Sequence, residues 1–578
     1  MIKRTLKYGL PILVIGGFLT LCSSGDKSSP VIDTPQGPLQ GTISKAGIAN
    51  FKGIPYAAPP VGDLRWRAPE APITWTDTRQ ATEFSPICMQ PLDGTEEGIF
   101  DIIINGLGLS KVKKFLIGRV VASMPKPETS EDCLYLNVRT PALDASGEST
   151  NALPVMVWIH GGNHQFGSAD FSYYQGDTLP SKGVVLVTIN YRLGALGYLA
   201  HPALSADDPN GVSGNYGTQD QIAALTWVRD NIASYGGDPK NVTIFGESAG
   251  AWSVTEMMAS PMAEGLFHKA IGQSGASTYH LGQMAENKLG WISGHETGRL
   301  LDEALGLDTP DAQTLRNLPA DKIVNAVTPA ITEGLHHVQD GHVFPKGVGL
   351  ALSSGKYNAV PSMFGYNAHE STLFYPSDPQ PSVWGEGFPE GGTRAEQIKA
   401  LSIAYPAQAE TLVDLYSLDN ADENTRYQGG MDMQGDEIFG VNVRLTARIN
   451  EAKNMPSYLY SFNRVGPSEK QTVGAFHSAE LPFVFDTHEK IMGYSKEDEA
   501  LTEQMTSYWT NFAKTGNPNG EGLPNWPAHQ GENWMMLEAN TGEQTRAVKA
   551  HRKDKLDALE EGLVKKLRDL EASQTPAE

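Results

Sequence analysis

Basic charge is what this chain has too little of. Its 45 lysines and arginines are outnumbered by 67 aspartates and glutamates, leaving a formal net charge of -22. A non-specific nucleic-acid binder needs a basic surface to displace counterions, so that class is excluded. Cysteine is equally scarce: Cys22, Cys88 and Cys133 are the whole supply. Once Cys22 is set aside, two remain, enough for one bridge around residues 89–132 or for two free thiols. No metal-ligand spacing, phosphate loop or dinucleotide fingerprint occurs, so neither a metal nor a cofactor is expected. His336 and His337 adjoin without a ligand pattern and read as loop residues. The apolar run Leu10 to Leu21 is too short for an ordinary membrane-spanning helix.

What is present begins with an export pattern. Lys3, Arg4 and Lys7 precede that apolar run, and Cys22 follows it. Leu19-Thr20-Leu21-Cys22 resembles a bacterial lipoprotein box, with Leu21 where a small residue is usual; the other reading is an ordinary signal cleaved near Ser24. Residues 1–22 are thus expected to be a signal, with Cys22 as a lipidation and membrane-anchoring candidate. Residues 23–30, rich in serine and charge, read as a tether. Residues 31–547 show no linker or repeat and read as one catalytic domain. In the extension 548–578, Leu556, Leu559, Leu563, Leu567 and Leu570 recur every three or four residues, as in an amphipathic helix. Residues 99–123 are very apolar, from Ile99 to Val121, and read either as a lid or pocket wall or as a packed helical insertion.

Between these ends, Pro154 to Ile159, Val184 to Ile189 and Val242 to Phe245 read as buried strands, and Gln219 to Ala233 as a helix. Strand, helix, strand is the unit of a parallel sheet covered by helices. Directly after the third strand stands Gly246-Glu247-Ser248-Ala249-Gly250, followed by a helix-compatible stretch, Ala251 to Met258. Small residues in such a turn let a serine sit at the tip of a tight elbow with its hydroxyl presented. A developing oxyanion needs donors, and Ala249 N–H is placed to be one. His160-Gly161-Gly162-Asn163 follows the first strand and nominates the N–H groups of Gly162 and Asn163 as the others. Glu247 reads as structural.

Further blocks run almost end to end: Phe51 to Ala57, Leu64-Arg65-Trp66, Ser130 to Val138, Asn190 to Gly194, Gly214 to Gly217, Gln273-Ser274-Gly275 and Trp509 to Pro518. Together with the elbow they resemble the type-B carboxylesterases, the family of cholinesterases and para-nitrobenzyl esterases, over about residues 31–547. The resemblance implies an α/β-hydrolase fold: a mostly parallel central sheet flanked by helices, with large loop insertions. It implies Glu370, in Gly365 to Ser371, as the acid and His477, in Gly474 to Phe483, as the base, with His369 and Ser371 departing from the family pattern. It also implies that Cys88 pairs with Cys133. Cholinesterases carry a choline-binding tryptophan in that bridged loop; residues 89–132 contain none, which removes the support for choline esters. His164, where the family usually has Phe or Tyr, would either make a pocket wall polar or face another loop.

The expected activity is that of a serine carboxylesterase acting through an acyl-enzyme, with a small ester and water as partners and no nucleic acid. The alternatives are an amidase, carbamate, toxin or polyester hydrolase on the same residues, or a non-catalytic binding member of the fold. The expected location is exported: periplasmic or outer-membrane-anchored in a bacterium, or secreted.

Overall fold

The computed structural model describes residues 27–92, 103–123, 126–143, 152–278, 282–288, 291–373, 393–466, 470–488, 494–540 and 542–574. The expected signal and Cys22 lie outside the described residues.

The described residues form fifteen strands: β1 (Lys27–Thr34), β2 (Gly37–Ile43), β3 (Ala49–Pro55), β4 (Arg79–Gln80), β5 (Ile87–Cys88), β6 (Thr129–Ser130), β7 (Tyr135–Thr140), β8 (Leu153–Ile159), β9 (Val185–Ile189), β10 (Gly237–Glu247), β11 (Lys269–Gln273), β12 (Ser362–Asn367), β13 (Ser457–Phe462), β14 (Asn533–Leu537) and β15 (Arg546–Lys549). Thirteen form one sheet in the order β1-β2-β3-β7-β9-β8-β10-β11-β12-β13-β14-β15, with β4 beside β2. From β9 to β14 every pairing is parallel, and antiparallel pairs flank that core on both sides.

Every residue of β9, β11, β12 and β13 is buried. Helices cover both faces of such strands, so unbroken apolar runs suit them better than alternation. Two large apolar clusters bear this out. One gathers Val155, Val157 and Ile159 with helix Tyr216–Asn231; the other gathers Met156 and Trp158 with helix Lys496–Thr515. Neighbours along β8 therefore serve opposite layers. The α/β-hydrolase expectation is met.

Both ends correct the expected boundaries. Residues 27–30 are not tether: Lys27 pairs with Ile43, and the buried Ser29 hydroxyl accepts a hydrogen bond from Gly41 N–H. Val548 is not extension: it pairs with Trp534 inside the sheet. The helix Lys553–Gln574 buries Leu556, Leu559, Leu563, Leu567 and Leu570 in the main core. Arg444, fully buried, meets Asp557 and lies 3.6 Å from Glu560. The tail thus packs on its own domain.

Cys88 and Cys133 form the disulfide, with Cα atoms 5.0 Å apart. Within the bridged loop, Ile103, Ile104, Leu107, Leu109 and Ile117 pack with Leu373 and Val473, so the packed-insertion reading fits these residues.

Truncating a core leucine of the tail tests its integration. Leu559→Ala is expected to cost about 2–5 kcal/mol, as for other buried leucines, and to lower the thermal midpoint clearly. Lys565→Ala on the exposed face should leave it within error.

Candidate functional site

The parallel strands end together, and their C-terminal edges deliver the candidate residues. β10 ends at Glu247, and Ser248 turns with φ 57° and ψ -124° into the helix Ala249–Ala259. A non-glycine residue at this φ is strained, and the surroundings hold it there. Ser248 N–H donates to Gln273 O at the end of β11, and Ser248 O caps the new helix through Ala251 and Trp252 N–H. The elbow glycines are fixed by contact. A Cβ on Gly250 would lie 2.0 Å from Ile159 O, and one on Gly246 would lie 2.5 Å from Gly250 itself.

β8, beside β10, ends in the loop His160 to Asn163. A Cβ on Gly161 would stand 3.0 Å from Ser248 Cβ, so loop and elbow touch. Gly162, Asn163 and His164 all have positive φ, at 101°, 54° and 57°. This run turns the loop back on itself, with Gln165 and Phe166 N–H both donating to Gly162 O. Among the described residues, the N–H groups of Gly162 and Asn163 have no backbone acceptor. The structure therefore brings Gly162, Asn163, Ser248 and Ala249 together.

His164 does not wall a pocket. Its ring is wholly enclosed, stacked 4.6 Å from Tyr198, with Nε2 3.1 Å from Ala249 O and 3.0 Å from Ser253 Oγ. It ties the loop carrying Asn163 to the helix that follows the serine. Behind it, the buried His337 Nδ1 lies 2.9 Å from Glu256 Oε1, and Thr218 Oγ donates to Glu256 Oε2. Burial pushes the His164 pKa down to about 4 and that of His336 to about 3, despite the Glu256 charge nearby.

Glu370 stands in a short 3-10 turn after β12, and His477 in the loop after β13. His477 Nδ1 lies 2.6 Å from Glu370 Oε2, while Asn367 N–H donates to Glu370 Oε1 at 2.6 Å. Both side chains are fully buried. His369, which departs from the family pattern, fastens the two loops. Its N–H donates to Ala475 O, and its Nδ1 accepts from Ala475 N–H, both at 3.0 Å. Gly474, at φ 65°, leaves room for that ring: a Cβ would fall 2.5 Å from it.

Sequence reasoning undervalued Glu247 and missed Glu480. Glu247 Oε1 lies 3.2 Å from His477 Nε2 and accepts from the Ser478 hydroxyl. Glu480 accepts from Gln273 Nε2 and Asn367 Nδ2 at 3.0 and 2.7 Å. Burial, reinforced by Glu480 and Glu370 and opposed by His477, raises the Glu247 pKa to about 8. Burial disfavours the His477 cation, but the charges of Glu247 and Glu370 outweigh it and raise that pKa to about 9. Glu247 directly precedes the nucleophile candidate, a position that could have flagged it. The Phe439 ring covers the imidazole at 4.9 Å.

A parallel sheet that delivers a serine on a strained elbow, beside a buried carboxylate–imidazole pair, belongs to an α/β-hydrolase. The chain matches the Carboxylesterase family over residues 28–558 and belongs to it. It is 35% identical over 573 residues to the acylcarnitine hydrolase of Mus musculus, covering 95% of this chain and 94% of that one. It is 34% identical over 586 residues to the cocaine esterase of Homo sapiens, covering 97% and 96%. Among solved structures, a carboxylesterase of Geobacillus stearothermophilus superposes with a TM-score of 0.74 at 30% identity, covering 92% of this chain and 99% of that one. A PNB esterase superposes with a TM-score of 0.73 at the same identity and coverage. The protein is a carboxylic-ester hydrolase.

Two pH effects follow. Glu247 in its charged form holds a proton on His477, so Glu247→Gln should lower the imidazole pKa by about one unit; ring-nitrogen NMR, assigned with His477→Gln, reads this. The neutral histidines, His164 buried and His336 half-buried, act on stability. Unfolded, His164 and His336 bind a proton near pH 6.5; folded, they resist it to about 4 and 3. Their contribution is complete above pH 6.5 and is lost as pH falls, by about 1.4 kcal/mol per unit for each group. The thermal midpoint should drop between pH 6.5 and 4, and less steeply in His336→Asn.

Proposed function

We propose that this protein cleaves carboxylic esters through an acyl-enzyme formed on Ser248. His477 Nε2 takes the Ser248 hydroxyl proton as Oγ bonds to the ester carbonyl carbon. The carbonyl oxygen, now an oxyanion, accepts from the N–H groups of Gly162, Asn163 and Ala249. As the carbon–oxygen bond to the alcohol breaks, His477 returns its proton to that alcohol. Water then adds to the acyl carbon, giving its proton to His477; the Ser248–carbonyl bond breaks, Ser248 regains the proton, and the acid departs. Glu370 keeps Nδ1 protonated and offsets the imidazolium charge.

The observation that carries this reading is the 2.6 Å contact of His477 with Glu370 at the same sheet edge as the Ser248 elbow. Glu247 adds a reserve: one proton shared between it and His477 leaves the imidazole free as a base whenever the carboxyl holds it. A lipidated or cleaved N-terminus, placing the enzyme outside the cytoplasm, completes the proposal.

Hydrolysis of para-nitrophenyl acetate, butyrate and octanoate tests it. Ser248→Ala should lower kcat/KM by about 10⁴-fold or more, and Glu370→Gln by about 10⁴-fold. A matched anilide should be cleaved far more slowly than its ester. A faster anilide would favour an amidase, and a folded chain inert toward every ester would overturn the reading.

A further inference from the structure

The helix Lys111–Ser123 stands out from the body that carries it. From Ile103 to Ser123 the chain holds four cations, Lys111, Lys113, Lys114 and Arg119, and no acid, although its net charge is -22. Among residues 111–119 only Ile117 is buried. Val112, Phe115 and Leu116 are 68%, 67% and 49% exposed. Spaced three and four apart, they form one face, with Arg119 a turn beyond Phe115 and Leu116.

Its mounting is firm. Ile103, Ile104, Leu107 and Leu109 pack with Leu373 and Val473, beside the Glu370 and His477 loops. Thr472 N–H donates to Gly106 O at 2.7 Å, and a Cβ on Gly106 would fall 2.3 Å from the Val473 side chain. The helix therefore sits at the same end of the sheet as the site. No described helix is long and apolar enough to cross a membrane.

We infer that Lys111–Ser123 docks this protein on anionic lipid surfaces, with Phe115, Leu116 and Val112 entering the acyl boundary and the exposed cations Lys111 and Arg119 meeting headgroup charge. Apolar residues among lysines and arginines are the composition of an in-plane interfacial helix. Charge complementarity selects an anionic lipid, whose surface attracts cations held close to it. This inference concerns binding and does not depend on the acyl-enzyme.

The test is co-sedimentation of the full chain carrying Cys22→Ala, so that no acyl anchor contributes. Vesicles are phosphatidylcholine alone or mixed with phosphatidylglycerol. Binding should be about tenfold or more tighter to the mixed vesicles and should weaken with added salt. Phe115→Ser with Leu116→Ser, and separately Lys111→Glu with Arg119→Glu, should each abolish the preference while para-nitrophenyl acetate hydrolysis persists. Equal binding to both vesicles, or a preference that survives both variants, would overturn the inference. So would a sedimenting dimer that Phe115→Ser dissolves without vesicle binding by the parent, since the face would then belong to a second copy.

Discussion

Three carboxylates and one imidazole lie buried together at the end of the central strands: Glu247, Glu370, Glu480 and His477 are each no more than 1% exposed. A buried ion is costly unless it is paired and hydrogen-bonded. Much of the local architecture meets that demand. Asn367 supplies two donors, its backbone N–H to Glu370 and its amide to Glu480. Gln273 supplies another to Glu480 and is itself held by Trp509 Nε1. Asn367 ends β12 and Gln273 ends β11, so the sheet register sets how the charges are satisfied. A one-residue slip in either strand would turn these donors to the other face.

Steric fit is the second constraint, and it explains why the site residues stand where they do. The helix after Ser248 can approach β8 only because Gly250 has no side chain to meet Ile159 O. That approach brings the turn after β8 against the elbow, and His164 fastens the junction through Ala249 O. Oxyanion donors gain from being fixed before reaction, since rigid dipoles need no reorganisation as charge develops. A wholly buried ring with hydrogen bonds to the helix provides that rigidity.

The elements that define the fold were legible because they carry local signals. β8, β9 and β10 announce themselves as apolar runs bounded by turns, and the elbow by its glycines directly after a strand. The helix predicted over Gln219 to Ala233 is observed at Tyr216–Asn231, continued by a 3-10 turn to Tyr235. What escaped depends on direction and distance in space. His164 could be located but not aimed. His369 looked like a departure because its partner, Ala475, is remote in sequence. Glu247 read as structural because the imidazole at 3.2 Å arrives from residue 477. At the amino end, serine and charge suggest a tether, yet pairing with β2 overrides composition from Lys27 onward. Edge pairing is a tertiary event that no local pattern encodes.

The carboxy-terminal helix illustrates the same point in the other direction. Its leucine spacing is plain in the sequence, but the spacing alone could not choose between self-packing and a partner. Charge makes the choice. Arg552, just before the helix, pairs with Asp436 at 2.9 Å. Asp436 also accepts from the hydroxyls of Tyr366 and Tyr416 at 3.0 and 2.7 Å. It opens the π-helical turn Asp436–Gly440 that carries Phe439 against His477. Such turns insert a residue into a helix and shift the faces beyond it, which is how they re-aim a side chain. With Arg552 absent, Asp436 would keep two tyrosine donors but lose its nearest cation inside the protein, leaving a buried charge poorly balanced. The tail thus belongs to the support of the imidazole, and its buried leucines beyond residue 558, Leu559, Leu563, Leu567 and Leu570, hold that support to the core.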